Sequence, residues 1–285
     1  MKEEVQSAVL QWYKKHKRDL PWRHTHDPYH ILVSEVMLQQ TQVARVIEKY
    51  HEFLRAFPTV QDLADASTAS VITVWKGLGY NRRALFLQKA AQAVIEQHGG
   101  IFPSDLESLK ALPGIGDYTA RAVMSFAFKK QVPMMDTNHR RIYNRVYFGV
   151  DSQKDDVLLK KAEEMFPKRS AYNWNQALMD IGSQFCTSRN PKCESCPLKR
   201  YCRATPAILT YIPPIKKKKK TIPFKQTDRY FRGRIIDMLR EQKKVSKQSI
   251  ITRFSQIPKA RVVKILLILE KDGLIKTAKR SIVLP

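Results

Sequence analysis

Residues 112–120 read Leu-Pro-Gly-Ile-Gly-Asp-Tyr-Thr-Ala, and an acidic residue, Asp136, follows twenty residues after Gly116. Upstream, the segment 104–110 is typical of a short helix with Ser104 as its N-cap, and downstream apolar residues recur at helical spacing. The Gly-rich stretch is therefore predicted to join two helices as a hairpin, in which the glycines permit a tight turn. The free N–H groups at the start of the second helix favour an anion, such as a DNA phosphate.

Asp136 stands where the next helix is predicted to begin, ahead of an apolar-periodic segment. One interpretation is an ordinary N-cap, just as the Pro-Gly-x-Gly stretch alone is compatible with an ordinary turn. The other interpretation is functional, because the helix dipole keeps a carboxylate at this position ionised. An ionised acid beside a bound phosphodiester backbone can stabilise a sugar cation.

This combination of a Leu-Pro-Gly-Ile-Gly hairpin and a later aspartate resembles the helix-hairpin-helix, Gly/Pro-rich, Asp superfamily of DNA base-excision glycosylases. The resemblance implies a mainly all-α, two-lobed core. It also implies that the hairpin residues Gly114, Ile115 and Gly116 hold the DNA backbone.

Composition fits a polyanion partner. The 285 residues carry 51 Lys and Arg against 26 Asp and Glu, a formal charge of +25 with an isoelectric point near 10.0. Ribosomal and membrane-surface proteins share this signature, so the charge indicates a class of partner and no chemistry. The N-terminus lacks the blocks of a secretory signal and no apolar run reaches the length of a membrane span, so an intracellular protein is expected.

Residues 34–43, Ser-Glu-Val-Met-Leu-Gln-Gln-Thr-Gln-Val, form the most specific motif. They lie in a helix predicted to start at Asp27-Pro28, and Glu35 stands among apolar residues. A partly buried carboxylic acid has a raised pKa and can donate a proton near neutral pH, whereas the alternative is a first-turn Glu favoured by the helix dipole. Gln39, Gln40 and Thr41 can fill the space left by an extruded base, or form an ordinary polar helix face.

The motif closely resembles the catalytic helix of adenine DNA glycosylases, which excise adenine mispaired with guanine or 8-oxoguanine. The resemblance implies that Glu35 protonates the base and that Asp136 stabilises the oxocarbenium-like sugar. By motif position, five further residues are predicted to line the pocket or orient the acids: Arg18, Trp22, Tyr118, Asn138 and Asp180. Trp22 has an alternative interpretation as core packing at a helix end.

Residues 76–83, Lys-Gly-Leu-Gly-Tyr-Asn-Arg-Arg, are predicted to form a second turn against DNA. Leu78 or Tyr80 would wedge into the duplex there, although Tyr80 could equally be buried. Related lyases place a nucleophilic Lys at position 118 of this chain, where Tyr118 stands instead. The predicted enzyme therefore uses water and leaves the abasic site uncut, with Lys129 and Lys130 close enough for a weak side activity.

The four cysteines, Cys186, Cys193, Cys196 and Cys202, lie within seventeen residues and follow the spacing Cys-x6-Cys-x2-Cys-x5-Cys. Such clustered thiolates suit a structural zinc or an iron–sulfur cubane better than disulfides in a reducing compartment. The spacing alone leaves both metals open. Its resemblance to the loop of endonuclease III and adenine glycosylases implies a [4Fe–4S] cluster with a structural and electrostatic role.

Three domains are predicted: a glycosylase core over 1–205, a Pro/Lys-rich linker over 206–227 with Pro213, Pro214 and the run Lys216 to Lys220, and a module over 228–285. The module is predicted to have three helices and a terminal hairpin, as in a winged helix, or to be a mere packing unit. Adenine glycosylases usually end in a larger Nudix-like domain. The segment 228–285 is too short for such a domain. The resemblance therefore covers roughly residues 5–205 and leaves open which base the enzyme prefers opposite its target.

The sequence as a whole predicts a monomeric enzyme that hydrolyses the N-glycosidic bond of a mispaired adenine in double-stranded DNA. A mismatch glycosylase for thymine, uracil or another damaged base is the nearest alternative, although such enzymes lack the Gln39-Gln40 pair. A non-catalytic DNA-binding iron–sulfur protein is a second alternative, which the presence of both acids disfavours.

Overall fold

The computed structural model describes residues 1–210, 222–278 and 281–285. In chain order its helices are α1 (Lys2–His16), α2 (Pro28–Leu38), α3 (Val43–Ala56), α4 (Val60–Asp65), α5 (Thr68–Val74), α6 (Arg82–His98), α7 (Leu106–Ala111), α8 (Asp117–Phe126), α9 (Thr137–Tyr143), α10 (Asp155–Met165), α11 (Ala171–Gln184), α12 (Thr205–Thr210), α13 (Asp228–Gln242), α14 (Lys247–Arg253) and α15 (Lys259–Lys271). The strands are β1 (Lys244–Ser246), β2 (Lys276–Ala278) and β3 (Ser281–Val283). The mainly helical fold is the predicted class.

The chain divides into two compact units. The first comprises Met1–Ile31, Ser104–Lys110 and Ile115–Lys216, and the second comprises Leu32–Pro103, Ala111–Gly114 and Lys217–Pro285. In the first unit α11 packs against α1 and α9, around a core that includes Val9, Ile142 and Trp174. This packing positions the start of α9, where Asp136 lies.

In the second unit α4 and α5 pack against α6, and the C-terminal elements complete the same unit. These elements follow the order helix, strand, helix, helix, strand, strand, and the antiparallel sheet has the order β1-β3-β2. The predicted three helices and hairpin are present. The third strand, β1, was not predicted, because three residues leave no usable alternation pattern.

The predicted module over 228–285 shares its core with helices of the same compact unit. Its hydrophobic core also includes Ile72 of α5 and Leu85 of α6. The Arg240 guanidinium of α13 donates to the Ile72 carbonyl at 2.7 Å, and the Ala69 N–H donates to the Pro285 carbonyl at 2.8 Å. The C-terminal elements are therefore packed onto the lobe formed by α3–α6.

The predicted linker over 206–227 begins inside helix α12, and residues 224–226 form a short 3-10 turn. Pro213, Pro214 and the lysine run 216–220 lie outside the described residues. No helix among the described residues combines the length and the apolar character needed to cross a membrane.

The predicted hairpin is present, with α7 and α8 joined by residues 112–116. Its first helix begins one residue later than expected, and Asp105 rather than Ser104 caps it, because the Asp105 Oδ1 accepts from the Ser108 N–H at 2.9 Å. The two glycines differ in conformation. Gly114 has a positive φ of 79°, while Gly116 is the extended N-cap of α8 with φ −91°.

Candidate active site

Asp136 is the N-cap of α9, and its carboxylate is held by four hydrogen bonds. Its Oδ1 accepts from the backbone N–H groups of Asn138 at 2.8 Å and His139 at 2.7 Å, and from His139 Nδ1 at 2.6 Å. Its Oδ2 accepts from Asn138 Nδ2 at 2.9 Å. The side chain keeps 16% of its surface exposed, so a bound sugar can approach it.

The environment of Asp136 favours its charged form. Burial acts to raise the pKa of this carboxyl, but the nearby His139 ring and the hydrogen bonds from His139 and Asn138 outweigh burial and lower it. The positive end of α9 acts in the same direction. Asp136 is therefore a fixed negative charge at neutral pH, as the sequence predicted.

Asn138 orients this acid. Besides bonding Asp136, its Oδ1 accepts from Arg141 Nη2 at 2.6 Å. It packs on Gly182 of α11, where a Cβ would lie 2.4 Å from the Asn138 Cβ. His139 also orients Asp136 and is fully buried, and sequence analysis missed it. The i, i+3 spacing between a helix N-cap and a histidine was the available signal.

Glu35 lies in α2 and is only 3% exposed, among the buried side chains of Val33, Val36 and Met37. The helix begins at Pro28, so Glu35 is its eighth residue. The alternative of a first-turn glutamate is therefore wrong. A carboxyl in such surroundings is disfavoured in its charged form unless a partner compensates, which is the setting of a proton donor.

The helix that carries Glu35 ends at Leu38, and the next helix starts at Val43. The alternative of a polar helix face for Gln39, Gln40 and Thr41 is therefore wrong, because these residues form a connection in which Gln40 has a positive φ of 55°. Gln40 is exposed, whereas the other two are half-buried. The side-chain amides of Gln39 and Gln40 and the hydroxyl of Thr41 therefore project from a connection between helices and not from a helix face.

Arg83 fixes this connection, and sequence analysis did not assign it a role. Its guanidinium caps the end of α2 by donating to the carbonyls of Val36 at 2.7 Å, Met37 at 2.9 Å and Gln39 at 2.7 Å. Its other terminal nitrogen donates to the Leu78 carbonyl at 3.0 Å. Arg83 therefore links the end of the Glu35 helix to the loop 77–81.

That loop exposes one of the two predicted wedge residues. Tyr80 is 40% exposed with a positive φ of 45°, so its alternative as a buried residue is wrong. Leu78 is only 5% exposed, so of the two predicted wedge residues Tyr80 is the one that the loop presents to solvent.

Asp180, predicted to line the pocket or orient the acids, lies in a buried group of ion pairs. Its fully buried carboxylate pairs with the Arg18 guanidinium at 2.6 Å and with Arg23 Nη1 at 2.9 Å. The Asp180 carboxylate is therefore enclosed by its arginine partners, and the Arg18 side chain, 30% exposed, is held by this ion pair. Trp22 is 6% exposed, which favours its alternative as core packing.

The hairpin presents a mixed surface. Gly114 and Gly116 are exposed and Ile115 is 7% exposed, so the backbone rather than the Ile115 side chain faces solvent there. Tyr118 is half-buried at the second position of α8.

All four cysteines line one apolar cavity together with Ile142 and Leu198. Burial raises the pKa of the Cys196 thiol to about 11, so its thiolate needs a neighbouring cation. Among the described residues, no three His, Cys, Asp or Glu side chains converge on a point for a single metal ion. The shared cavity of four thiols and the Arg145 guanidinium 3.4 Å from Cys186 Sγ fit an anionic sulfur cluster.

Comparison with known proteins decides the family. Residues 33–168, which include both acids, match the model of HhH-GPD superfamily base excision DNA repair proteins. The chain is 41% identical to an adenine DNA glycosylase of Mycobacterium tuberculosis over 81% of this chain and 77% of that protein. It is also 41% identical to the Homo sapiens adenine DNA glycosylase, over 69% of this chain and 38% of that protein. The chain belongs to the adenine DNA glycosylase family.

Solved structures of DNA glycosylases have a similar fold. A thermostable thymine-DNA glycosylase has a TM-score of 0.68 and 32% identity, covering 72% of this chain and 97% of that one. An endonuclease III–DNA complex has a TM-score of 0.65 at 23% identity and 74% coverage of this chain, and 99% of that one, so it shows the shared fold.

Residues 186–202 match the iron–sulfur binding domain of endonuclease III. The four cysteines of this adenine DNA glycosylase family member therefore hold a [4Fe–4S] cluster. The zinc alternative that the spacing left open is set aside.

Proposed function

We propose that the protein is a monofunctional DNA N-glycosylase that hydrolyses the N-glycosidic bond of adenine mispaired with guanine or 8-oxoguanine in double-stranded DNA. The names of its relatives support adenine as the excised base. The observation that carries the proposal is the contrast between two acids: Glu35 is buried among apolar side chains, and Asp136 is held ionised by four hydrogen bonds.

The two environments suit two different steps. Glu35 protonates the adenine, at N7, after the base has been flipped out of the duplex, and this makes the base a better leaving group. Asp136 stabilises the positive charge that develops on the sugar, because its carboxylate is oriented before the reaction begins. Glu35, now ionised, then removes a proton from the attacking water.

Water is the nucleophile in this scheme. The second residue of α8 is Tyr118, which has no amine to form a Schiff base with the sugar. The abasic product is therefore left intact in the DNA. We also propose that the enzyme acts as a monomer, which light scattering of the holoprotein tests.

One single-turnover experiment tests the substrate assignment. Duplexes with adenine opposite 8-oxoguanine, guanine or cytosine are compared with duplexes carrying thymine or uracil opposite guanine. Strand cleavage by alkali then reports each abasic product. Excision of adenine opposite 8-oxoguanine or guanine, with no cleavage before alkali, is expected. Absence of adenine excision from every duplex contradicts the proposal.

A second candidate function is excision of thymine or uracil from mismatches. The structural similarity to a thymine-DNA glycosylase at 32% identity favours it. In the same panel, faster excision of thymine or uracil than of adenine would select this alternative.

A further inference from the structure

The C-terminal elements of the second unit carry a positive charge that the proposed chemistry does not use. Residues 243–285 contain eleven Lys and Arg but only two acids, Glu270 and Asp272. Asp272 pairs with two arginines, and Glu270 Oε1 accepts from the Thr277 N–H at 3.0 Å. The charge of this segment is therefore largely uncompensated, which favours a polyanion as its partner.

Helix α15 presents part of this charge on one face. Its buried face consists of four apolar residues, Val262, Ile265, Leu266 and Leu269. The opposite face repeats at the same helical spacing and consists of four exposed residues, Ala260, Lys264, Leu267 and Lys271. Within the described ranges neither of these lysines pairs with a carboxylate, whereas Arg261 at the side of the helix pairs with Asp228.

A groove of about 160 Å³ adjoins the exposed face of α15. Its walls are α15, the β2–β3 hairpin and Lys247, the first residue of α14. Lys276 of β2 is also exposed beside it. Two consecutive helices and a hairpin thus form one basic surface, and in a helix-turn-helix the second helix of such a pair enters the major groove of DNA.

The exposed face of α15 is unsuited to reading a base sequence. Specific contacts to base edges are made mainly by Arg, Asn and Gln, and this face contains none of them. Lysines bind phosphates as point charges, and Ala260 and Leu267 offer only apolar contact. The surface therefore suits a duplex of any sequence.

We propose that the C-terminal elements act as a winged helix that binds undamaged duplex DNA of any sequence, with α15 in the major groove and the lysines of α14, α15 and β2 on the phosphates. This goes beyond the proposed function, because no mispair is needed. Sequence-independent contacts to phosphates allow a protein to slide along DNA. The winged helix would thus keep the enzyme on DNA that holds no target base.

The distribution of acids supports DNA as the occupant of this surface. A second groove of the same elements, between α13 and α14, is lined by Asp237 and Glu241 together with Arg253. Acids at that groove repel phosphates, whereas the exposed face of α15 contains no acid. The C-terminal elements therefore have one side that suits a polyanion and one that does not.

A matched pair of variants tests the phosphate contacts by salt-dependent binding. The full-length holoprotein is used, because the C-terminal elements share their core with α5 and α6. The probes are two undamaged duplexes of equal length and different sequence. Lys264→Gln is expected to weaken affinity for both about fivefold and to reduce the slope of log affinity against log salt by about one.

The control is Arg253→Gln, which removes one charge from the groove that also contains acids. It is expected to change affinity less than about twofold. Equal losses in the two variants would show a diffuse basic surface and refute the proposal. Wild-type affinity in Lys264→Gln would also refute it.

Acetylation of lysines, mapped by mass spectrometry, locates the surface independently. Lys247, Lys264 and Lys271 should be acetylated more slowly when either undamaged duplex is present. Unchanged acetylation at all three lysines overturns the proposal.

A second copy of the chain is the alternative occupant of this face, because Leu267 is 61% exposed. Light scattering of wild type and Leu267→Ser tests it. A dimer that Leu267→Ser dissociates, together with unprotected lysines, would select this alternative and overturn the proposal.

None of these measurements requires excision. A protein that fails the substrate panel still reports on the winged helix. Conversely, adenine excision together with unprotected lysines would keep the proposed function and remove this inference.

Discussion

The two glycines of the hairpin look equivalent in the sequence, and the structure predicts very different costs for replacing them. Gly114 has a φ of 79°, where an L side chain costs about 1–2 kcal/mol. A Cβ there would also lie 2.6 Å from the Phe86 Cβ and 3.0 Å from its Cγ. Overpacking of this kind costs about 1–3 kcal/mol. Gly114→Ala should therefore destabilise the protein by about 2–5 kcal/mol.

Gly116→Ala is the matched control. Nothing lies within 4 Å of a Cβ at this position, and its φ of −91° suits any residue. Alanine is a poorer N-cap than glycine, but it also reduces the entropy of the unfolded chain. The two effects nearly cancel, so a change within about 0.5 kcal/mol is expected.

Denaturation by urea at matched iron content, followed by far-UV circular dichroism, measures both variants. A third variant examines the cause, because Phe86→Ala keeps the Cβ that makes the closest contact. Gly114→Ala should remain strongly destabilising in that background. Equal costs at the two glycines, or complete rescue by Phe86→Ala, would refute the reasoning.

Three other predictions concern the site. The pKa of Asp136 is lowered in the folded protein, so its contribution to stability is complete above the ordinary pKa of 3.8 and is lost as the pH falls through the pKa of the folded state. The urea midpoints of the wild type and of Asp136→Asn should therefore converge in acid. Arg83→Lys should reduce single-turnover excision about tenfold, because one ammonium cannot replace a fork that reaches both α2 and the loop; a wild-type rate would contradict this role. Cys202→Ser should lower iron content and visible absorbance and weaken DNA binding, as iron analysis and anisotropy would show.

Local patterns predicted the surroundings of the two candidate acids. The apolar residues around Glu35 predicted that its side chain is buried. The position of Asp136 before a segment with helical periodicity predicted that it is an N-cap. Both features depend on residues only a few positions away, so the sequence contains them directly.

Contacts between distant segments were not predictable from these patterns. Arg83 bonds carbonyls 44 to 47 residues earlier, and Arg229 reaches Tyr80 across the fold. The break of α2 before Gln40 also escaped prediction, because nothing local marks a glutamine for a positive φ. The ion pairs of Asp180 with Arg18 and Arg23 were not predicted, because both arginines lie more than 150 positions away.

The central claim is that two acids carry the reaction, and their conservative variants test it most directly. Single-turnover excision of adenine opposite 8-oxoguanine is measured for Glu35→Gln and Asp136→Asn, with affinity for an abasic-analogue duplex measured in parallel. Each variant should lose about a hundredfold or more in rate while still binding that duplex. A rate close to wild type in either variant would contradict the account.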